Sequence, residues 1–344
     1  MQRTSGTEVQ EVGNKRGEVE FRRRLFEQQV QGNSVFENEF DAAGIEAVLR
    51  ERMRDTLGTM EGLRNAGVVL TPYLEIGAER GQRALVLENE LGAEGAALDL
   101  SLDLLRSCGH YADRFGMERL PLRVCADAYR LPFRTGSLPF VFCYQTLHHF
   151  PAPEPILREV HRVLAPGGHF FFAEEPYRRR LHVPLVRVRS SVRDQPRSRL
   201  GKLLRHLFVE EVFNEEEMGV LENHGIPIAD WRRALSIFAE GEATLALDRF
   251  RVPAQGRRNP ALYALLWLLG GRISGLYRKE AGPGAPAGRI AEALTAPPAP
   301  GRPEAPLRRE GTGYVAETGE RYPEVDGVAM LLPEELRREL YPEV

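Results

Sequence analysis

From Ile45 onward the apolar positions recur at helical steps. Ile45, Val48, Leu49, Met53, Leu57 and Met60 are separated by Arg and Glu, which predicts an amphipathic helix ended by Asn65-Ala66-Gly67. Between about 68 and 176 the texture changes, and short apolar runs alternate with helical stretches. Strands are predicted at 68–70 resuming at 73–76, then at 96–99, 122–126, 140–144 and 170–173. The intervening helices carry Ala84 to Leu87, then Leu102, Leu105 and Cys108, then Ile156, Leu157, Val160 and Val163. The last of these is stopped by Pro166-Gly167-Gly168. Continuous apolar strands separated by helices predict an α/β fold. Its doubly wound, mostly parallel sheet is covered on both faces.

The flanking segments read differently. Residues 1–67 form an N-terminal extension, helical at its end. After Pro176 comes a basic stretch from Arg178 to Arg205, broken only by Asp194, and then an acidic run from Glu210 to Glu217. A helix over 230–238 and strands at 243–247 and 273–277 follow. The central domain therefore spans 68–280. Its core is 68–176, a lid-like insertion occupies 177–240, and the late strands lie in 241–280. Residues 281–311, rich in Pro and Ala, read as a flexible linker before a small tail at 312–344.

Composition narrows the class. Hydrophobic residues make up 42% of the 344 and charged residues 28%, enough for a sizeable core. A formal net charge of -3 argues against a uniformly basic nucleic-acid binder. Cys108, Cys125 and Cys143 form no CxxC pair, so no cysteine-based metal site is expected. Their low, odd number fits a reducing cytoplasm. The first 20 residues contain no apolar signal segment. The longest apolar run, 261–271, is about half of the ~20 residues a membrane-spanning helix needs.

The candidate chemistry gathers at the carboxyl ends of the predicted strands, where open α/β sheets bind ligands. Glu75-Ile76-Gly77-Ala78-Glu79-Arg80-Gly81 follows the first strand and opens a helix. Its glycines permit close backbone approach, and the helix start offers free N–H groups. Asp99 ends the second strand, placed to accept hydrogen bonds from two ribose hydroxyls. Asp127 ends the third, placed to accept from an adenine amine, and Tyr144 ends the fourth. The turn is not GxGxxG, so a dinucleotide pyrophosphate site is poorly supported. Acids at successive strand ends suit a ligand with a ribose, an adenine and a cation but no phosphate.

In these residues the segment 68–176 resembles the class I S-adenosylmethionine-dependent methyltransferases, of the type 11 kind. Their first motif is matched by Glu75, Gly77 and Gly81, their second-strand acid by Asp99 in ALDLS, and their third-strand acid by Asp127 in CADAYRLPF. FVFCYQTLHHF and EVHRVLAPGGHFFF resemble the fourth strand, the following helix and the fifth strand. The resemblance implies a Rossmann-like fold and S-adenosyl-L-methionine as cofactor. It implies contacts from Glu75, Gly77, Ala78, Gly81, Asp99, Leu100, Asp127, Ala128 and Tyr144. Two departures stand out: Glu79 replaces the usual middle glycine, and Pro139 an acid before the fourth strand. Glu79 could crowd the methionine moiety or pair with its ammonium. The tail, GERYPEVDGVAMLL then Pro333-Glu334-Glu335, resembles the Trm112-type modules that activate methyltransferases, without their cysteines near Val315 and Thr318.

A sulfonium methyl is already activated, so alignment and exclusion of water carry most of its transfer. A base is needed only where the acceptor must lose a proton, and His148 or His149 is the candidate. Glu174 and Glu175 are candidates for the acceptor pocket. The expected acceptor is a small molecule, anionic if the arginines of the insertion face it. A non-catalytic cofactor-binding partner protein is an alternative, as is a nucleic-acid methyltransferase. The Asn/Asp-Pro-Pro-Tyr motif used on base amines is absent after the fourth strand, which argues against the latter.

Overall fold

A computed structural model describes residues 14–24, 26–27, 42–181, 183, 185–189, 199–212, 220, 223, 225–255, 259–299 and 301–344. The acidic positions Glu215, Glu216 and Glu217 and the part of the basic stretch from 190 to 198 lie outside the described residues. Helix α1 covers 14–24 and α2 covers Ala42–Asn65. The strands and helices then alternate as the apolar runs predict. They are β1 Tyr73–Ile76, α3 Gln82–Asn89, β2 Gly95–Asp99, α4 Leu102–Phe115, β3 Leu122–Cys125, β4 Leu138–Tyr144, α5 Glu154–Val163 and β5 Leu164–Tyr177.

Strands β3-β2-β1-β4-β5 lie side by side in that order, all parallel. The chain reverses direction of travel between β1 and β4, which opens a crevice at their carboxyl ends. One face buries Leu74, Leu98, Val141 and Phe172, the other Tyr73, Ala97, Phe140 and Phe142. Adjacent strand residues point to opposite faces. A parallel sheet covered on both sides therefore needs apolar residues at both parities, which is why these strands carry unbroken apolar runs. Local signals fix the helix ends: Ser101 caps α4 by accepting from the Leu104 N–H, and Gly116 ends it in the left-handed region.

The insertion contributes β6 Val186–Arg189, paired in parallel with β7 Val209–Val212, and α6 Arg199–Phe208 between them. Helix α7 Ile228–Leu235 stacks Trp231 on Phe172, ring centroids 5.7 Å apart. Strands β8 Glu240–Leu247, β9 Phe250–Pro253 and β10 Gly271–Arg278 extend the sheet antiparallel beyond β5, with α8 Pro260–Leu269 between β9 and β10. Strand β9 is not expected from the sequence: it is four residues long and Phe250 and Arg251 are exposed.

The span 281–311 departs from its expectation as a flexible linker. Ala287, Ile290, Ala293 and Leu294 are buried in the core, and α9 Ile290–Ala293 lies within it. Ile290, Leu294 and the buried alanines fasten the segment to the core rather than leaving it free. Strands β11 Leu307–Glu310, β12 Gly313–Ala316, β13 Arg321–Val325 and β14 Val328–Met330 form an antiparallel meander. Strand β14 pairs in parallel with β3, so the tail prolongs the central sheet to twelve strands. Helix α10, Glu334–Leu340, follows and leaves Tyr341 fully buried.

Candidate active site

The turn after β1 is built around backbone conformations that its residues must tolerate. Gly77 has φ +70°, and a Cβ there would meet the Thr146 side chain at 2.3 Å. Gly81 has φ +69°, and a Cβ there would meet Cys108 Sγ at 2.8 Å. Glu79 takes φ +50°, a left-handed conformation for a residue with a side chain. Its N–H donates to Asp99 Oδ2 at 2.8 Å, tying the turn to the end of β2. The Ser101 N–H donates to the other Asp99 oxygen, also at 2.8 Å. Burial raises the Asp99 carboxyl to about 6, against the opposing hydrogen bond from Ser101 and the charge of Arg22.

A cleft of about 2660 Å³ opens over these strand ends. Gly77, Asp99, Leu100, Asp127, Ala128 and Tyr144 all line it, together with His148 and His149. Three expected contact residues lie elsewhere. Ala78 is buried, and its N–H donates to the Leu98 carbonyl. Gly81 turns inward against Cys108. Glu75 is buried beneath the turn, where Oε2 accepts from the Ala84 N–H at 3.1 Å. Burial raises its carboxyl to about 8, with Arg83 and the Ala84 N–H opposing. It braces the turn from below.

Glu79 neither crowds the cleft unpartnered nor stands as a free anion. Its carboxylate meets Arg52 Nη1 at 2.9 Å and Arg22 Nη1 at 3.8 Å. Burial opposes ionisation, but those two arginines outweigh it and hold the group well below the usual carboxylate range. Arg22 comes from α1, which crosses the cleft. The same helix sends Lys15 Nζ to Asp127 Oδ2 at 2.7 Å and over the Tyr129 ring at 4.9 Å. The other Asp127 oxygen accepts from the Tyr129 N–H at 3.0 Å.

At the ends of β4 and β5 lies a second group. Gln145 (φ +48°) and Glu174 (φ +62°) both adopt left-handed backbones. Gln145 Nε2 donates to Glu174 Oε2 at 2.9 Å, and Arg272 Nη1 approaches the same oxygen at 3.2 Å. Paired left-handed residues at the mouth of a cleft mark a site where geometry outweighs local preference. Glu174 lines the cleft as expected, but Glu175 does not. Glu175 is fully buried and accepts from the N–H groups of Thr146, Leu147 and His148 at 2.7, 3.0 and 3.2 Å. It also meets His148 Nδ1 at 2.9 Å. An oxygen that only accepts makes Nδ1 the donor in this pair. The His149 ring packs tilted against that of His148, centroids 4.3 Å apart. Glu175 thus orients the His148 ring.

The tail reaches the same site. The Tyr341 hydroxyl donates to the Leu100 carbonyl at 2.6 Å and accepts from the Leu102 N–H at 3.0 Å. Gln145, Arg272, Lys15 and Tyr341 escape a sequence reading because each reaches the site from a different element, without motif or spacing.

A methyltransferase-domain family matches residues 74–172. A malonyl-[acyl-carrier protein] O-methyltransferase of Marinomonas sp. is 33% identical over 132 residues, 38% of this chain and 45% of that protein. An arsenite methyltransferase of Aquipseudomonas alcaligenes is 28% identical over 116 residues, 31% of this chain and 34% of that protein. The chain thus spans less than half the length of the curated relatives it matches. Among solved structures, the phosphoethanolamine N-methyltransferase 2 of Haemonchus contortus with S-adenosyl-L-methionine aligns with TM-score 0.41 at 14% identity. That alignment covers 67% of this chain and 53% of that one.

Proposed function

We propose that residues 74–172, which match a methyltransferase-domain family, form a class I S-adenosylmethionine-dependent methyltransferase domain, and that the chain transfers a methyl group to a small-molecule acceptor bound in the cleft beside β4 and β5. The observation that carries the reading is the convergence of Gly77, Asp99 and Asp127 on one cleft. The residues fit the cofactor: Asp99 and Asp127 keep lone pairs for ribose hydroxyls and an adenine amine, and Gly77 leaves backbone exposed where a ligand must pass close. Leu100 and Ala128 supply apolar flanks. Arg52 and Arg22, already gathered around Glu79, offer cations to a carboxylate at the methionine end. When bound, S-adenosylmethionine supplies an electrophilic methyl on a cationic sulfur.

The protein's own work is then alignment, exclusion of water and movement of one proton. Gln145, Glu174 and Arg272 hold a polar rim at the acceptor end. His148 Nε2 takes the proton from an acceptor hydroxyl, while Glu175 fixes the ring and stabilises the imidazolium that forms. A carboxylate acceptor needs no such base, and for it His148 serves only to orient. The tail acts in cis, holding Leu100 through Tyr341. Calorimetric titration with S-adenosylhomocysteine, followed by an acceptor screen with radiolabelled S-adenosylmethionine, tests the reading. Micromolar binding with turnover of a small acceptor supports it. Binding without turnover across acceptor classes moves the reading to a non-catalytic partner protein.

A further inference from the structure

Two features of the sequence play no part in the cofactor site: the basic stretch after Pro176 and the apolar helix around Trp267. The structure brings them together. The Arg180 and Leu181 N–H groups both donate to the Leu268 carbonyl, at 3.0 and 2.8 Å, which fastens the start of the insertion to the end of α8. The Arg180 guanidinium covers the Trp267 ring at 4.1 Å. Further on, the Val183 N–H donates to the Leu207 carbonyl and the Leu185 N–H to the Phe208 carbonyl, so both residues lie along the end of α6.

The surface these pieces share is apolar. Of the ten large hydrophobic side chains exposed among the described residues, seven belong to it. Leu181, Val183, Leu185 and Val186 come from the insertion's first segment, Leu204 from α6, and Leu265 and Leu268 from α8. Leu185 is 71% exposed and Val186 55%. Single exposed aliphatics are ordinary, but a cluster of this kind marks an interaction surface. The sequence that supplies most of it is basic: residues 178–205 contain ten Arg or Lys and one acidic residue, Asp194, while β7, in register with β6, adds Glu210 and Glu211. The α6 sequence RLGKLLRHLF places leucines at three- and four-residue spacing with Arg, Lys and His between them, a pattern suited to an interface between water and apolar chains.

We propose that this surface docks the protein peripherally on an anionic lipid membrane. Charge complementarity identifies the occupant: basic residues supply attraction to an anionic surface, and the aliphatic side chains insert beside them. No described helix is long and apolar enough to cross a membrane, so the contact is a surface one. The docking face adjoins the cleft. Arg179, Arg205, Val209 and Leu265 line the same cavity as Asp99, so an amphiphilic acceptor in the lipid surface would meet the cleft mouth directly.

The test is co-sedimentation of the full chain with phosphatidylcholine vesicles and with vesicles containing phosphatidylglycerol. Selective binding to the anionic vesicles, weakened at least about tenfold by high salt, is expected. The double substitution Leu185→Glu and Val186→Glu should lower that binding at least about tenfold again. Titration with S-adenosylhomocysteine on the same samples shows whether each variant is folded and reports the methyltransferase reading separately. Equal binding to neutral vesicles, no binding to either, or full binding by the double variant would overturn the proposal. So would a dimer that the double variant dissociates, or binding only to an acidic protein.

Discussion

Glu175→Gln isolates the link between β5 and the loop carrying His148. The carboxylate receives two N–H groups on Oε1, from Thr146 and Leu147, and two on Oε2, from the His148 backbone and ring. Glutamine can keep only one of these oxygens. If its amide nitrogen takes the Oε1 position, two buried backbone donors lose their acceptor. If it takes Oε2, one backbone donor is lost and the His148 ring must turn acceptor at Nδ1. The second arrangement is the cheaper. One buried unpaired N–H costs about 1–3 kcal/mol, and replacing charge-assisted bonds by neutral ones adds about 1 more. Urea unfolding should therefore show a loss of about 2–4 kcal/mol, a large fraction of a typical domain's stability. Long-range proton–nitrogen NMR should find the His148 proton moved from Nδ1 to Nε2. Affinity for S-adenosylhomocysteine should change less than about twofold, because Glu175 does not reach that part of the cleft. A stability change under about 0.5 kcal/mol with the tautomer unchanged would refute the reasoning.

Three other perturbations separate the remaining parts of the site. Lys15→Met removes the cation that occupies Asp127, so S-adenosylhomocysteine should bind about 3–10-fold more tightly by calorimetry; weaker binding would mean that Lys15 contributes to the ligand site. Tyr341→Phe strips the bridge between the Leu100 carbonyl and the Leu102 N–H, and should cost about 1–3 kcal/mol in urea together with a several-fold loss of cofactor affinity. Loss of stability at unchanged affinity would leave Tyr341 a structural residue only. Glu75 is held protonated by burial, raised to about 8 in the fold from an ordinary value of 4.5. Its contribution is therefore complete below about 4.5 and is lost as pH rises through about 8. The stability of Glu75→Gln relative to wild type should climb across that window in urea titrations, and a flat difference would contradict the assignment.

Much of the sheet is legible in the sequence because a parallel sheet covered on both faces requires unbroken apolar runs, and runs such as Phe140 to Cys143 admit few other readings. Strand-end acids are legible for a related reason: Asp99 and Asp127 sit one residue past apolar segments, where chain direction alone carries them to the crevice. Glu75 shows the limit of that logic, since it stands in the same motif yet turns under the glycine loop. Glu175 shows it again: Glu174 and Glu175 are adjacent, so one faces the cleft and the other the core, and spacing does not say which. The Pro- and Ala-rich span misleads because composition reports what a segment cannot do as a helix, not whether a core is waiting for Ile290 and Leu294. Contacts such as Lys15 on Asp127 join residues 112 apart and leave no local trace.

The account rests on the strand-end carboxylates forming the cofactor site, and Asp99→Ala tests it most directly. Calorimetric titration with S-adenosylhomocysteine should give micromolar binding to the wild type. It should give a loss of at least about tenfold in the variant, equivalent to about 1.4 kcal/mol, with the melting transition retained. Equal affinity in the two folded proteins would contradict the placement of the ribose at Asp99, and with it the site assembled around that residue.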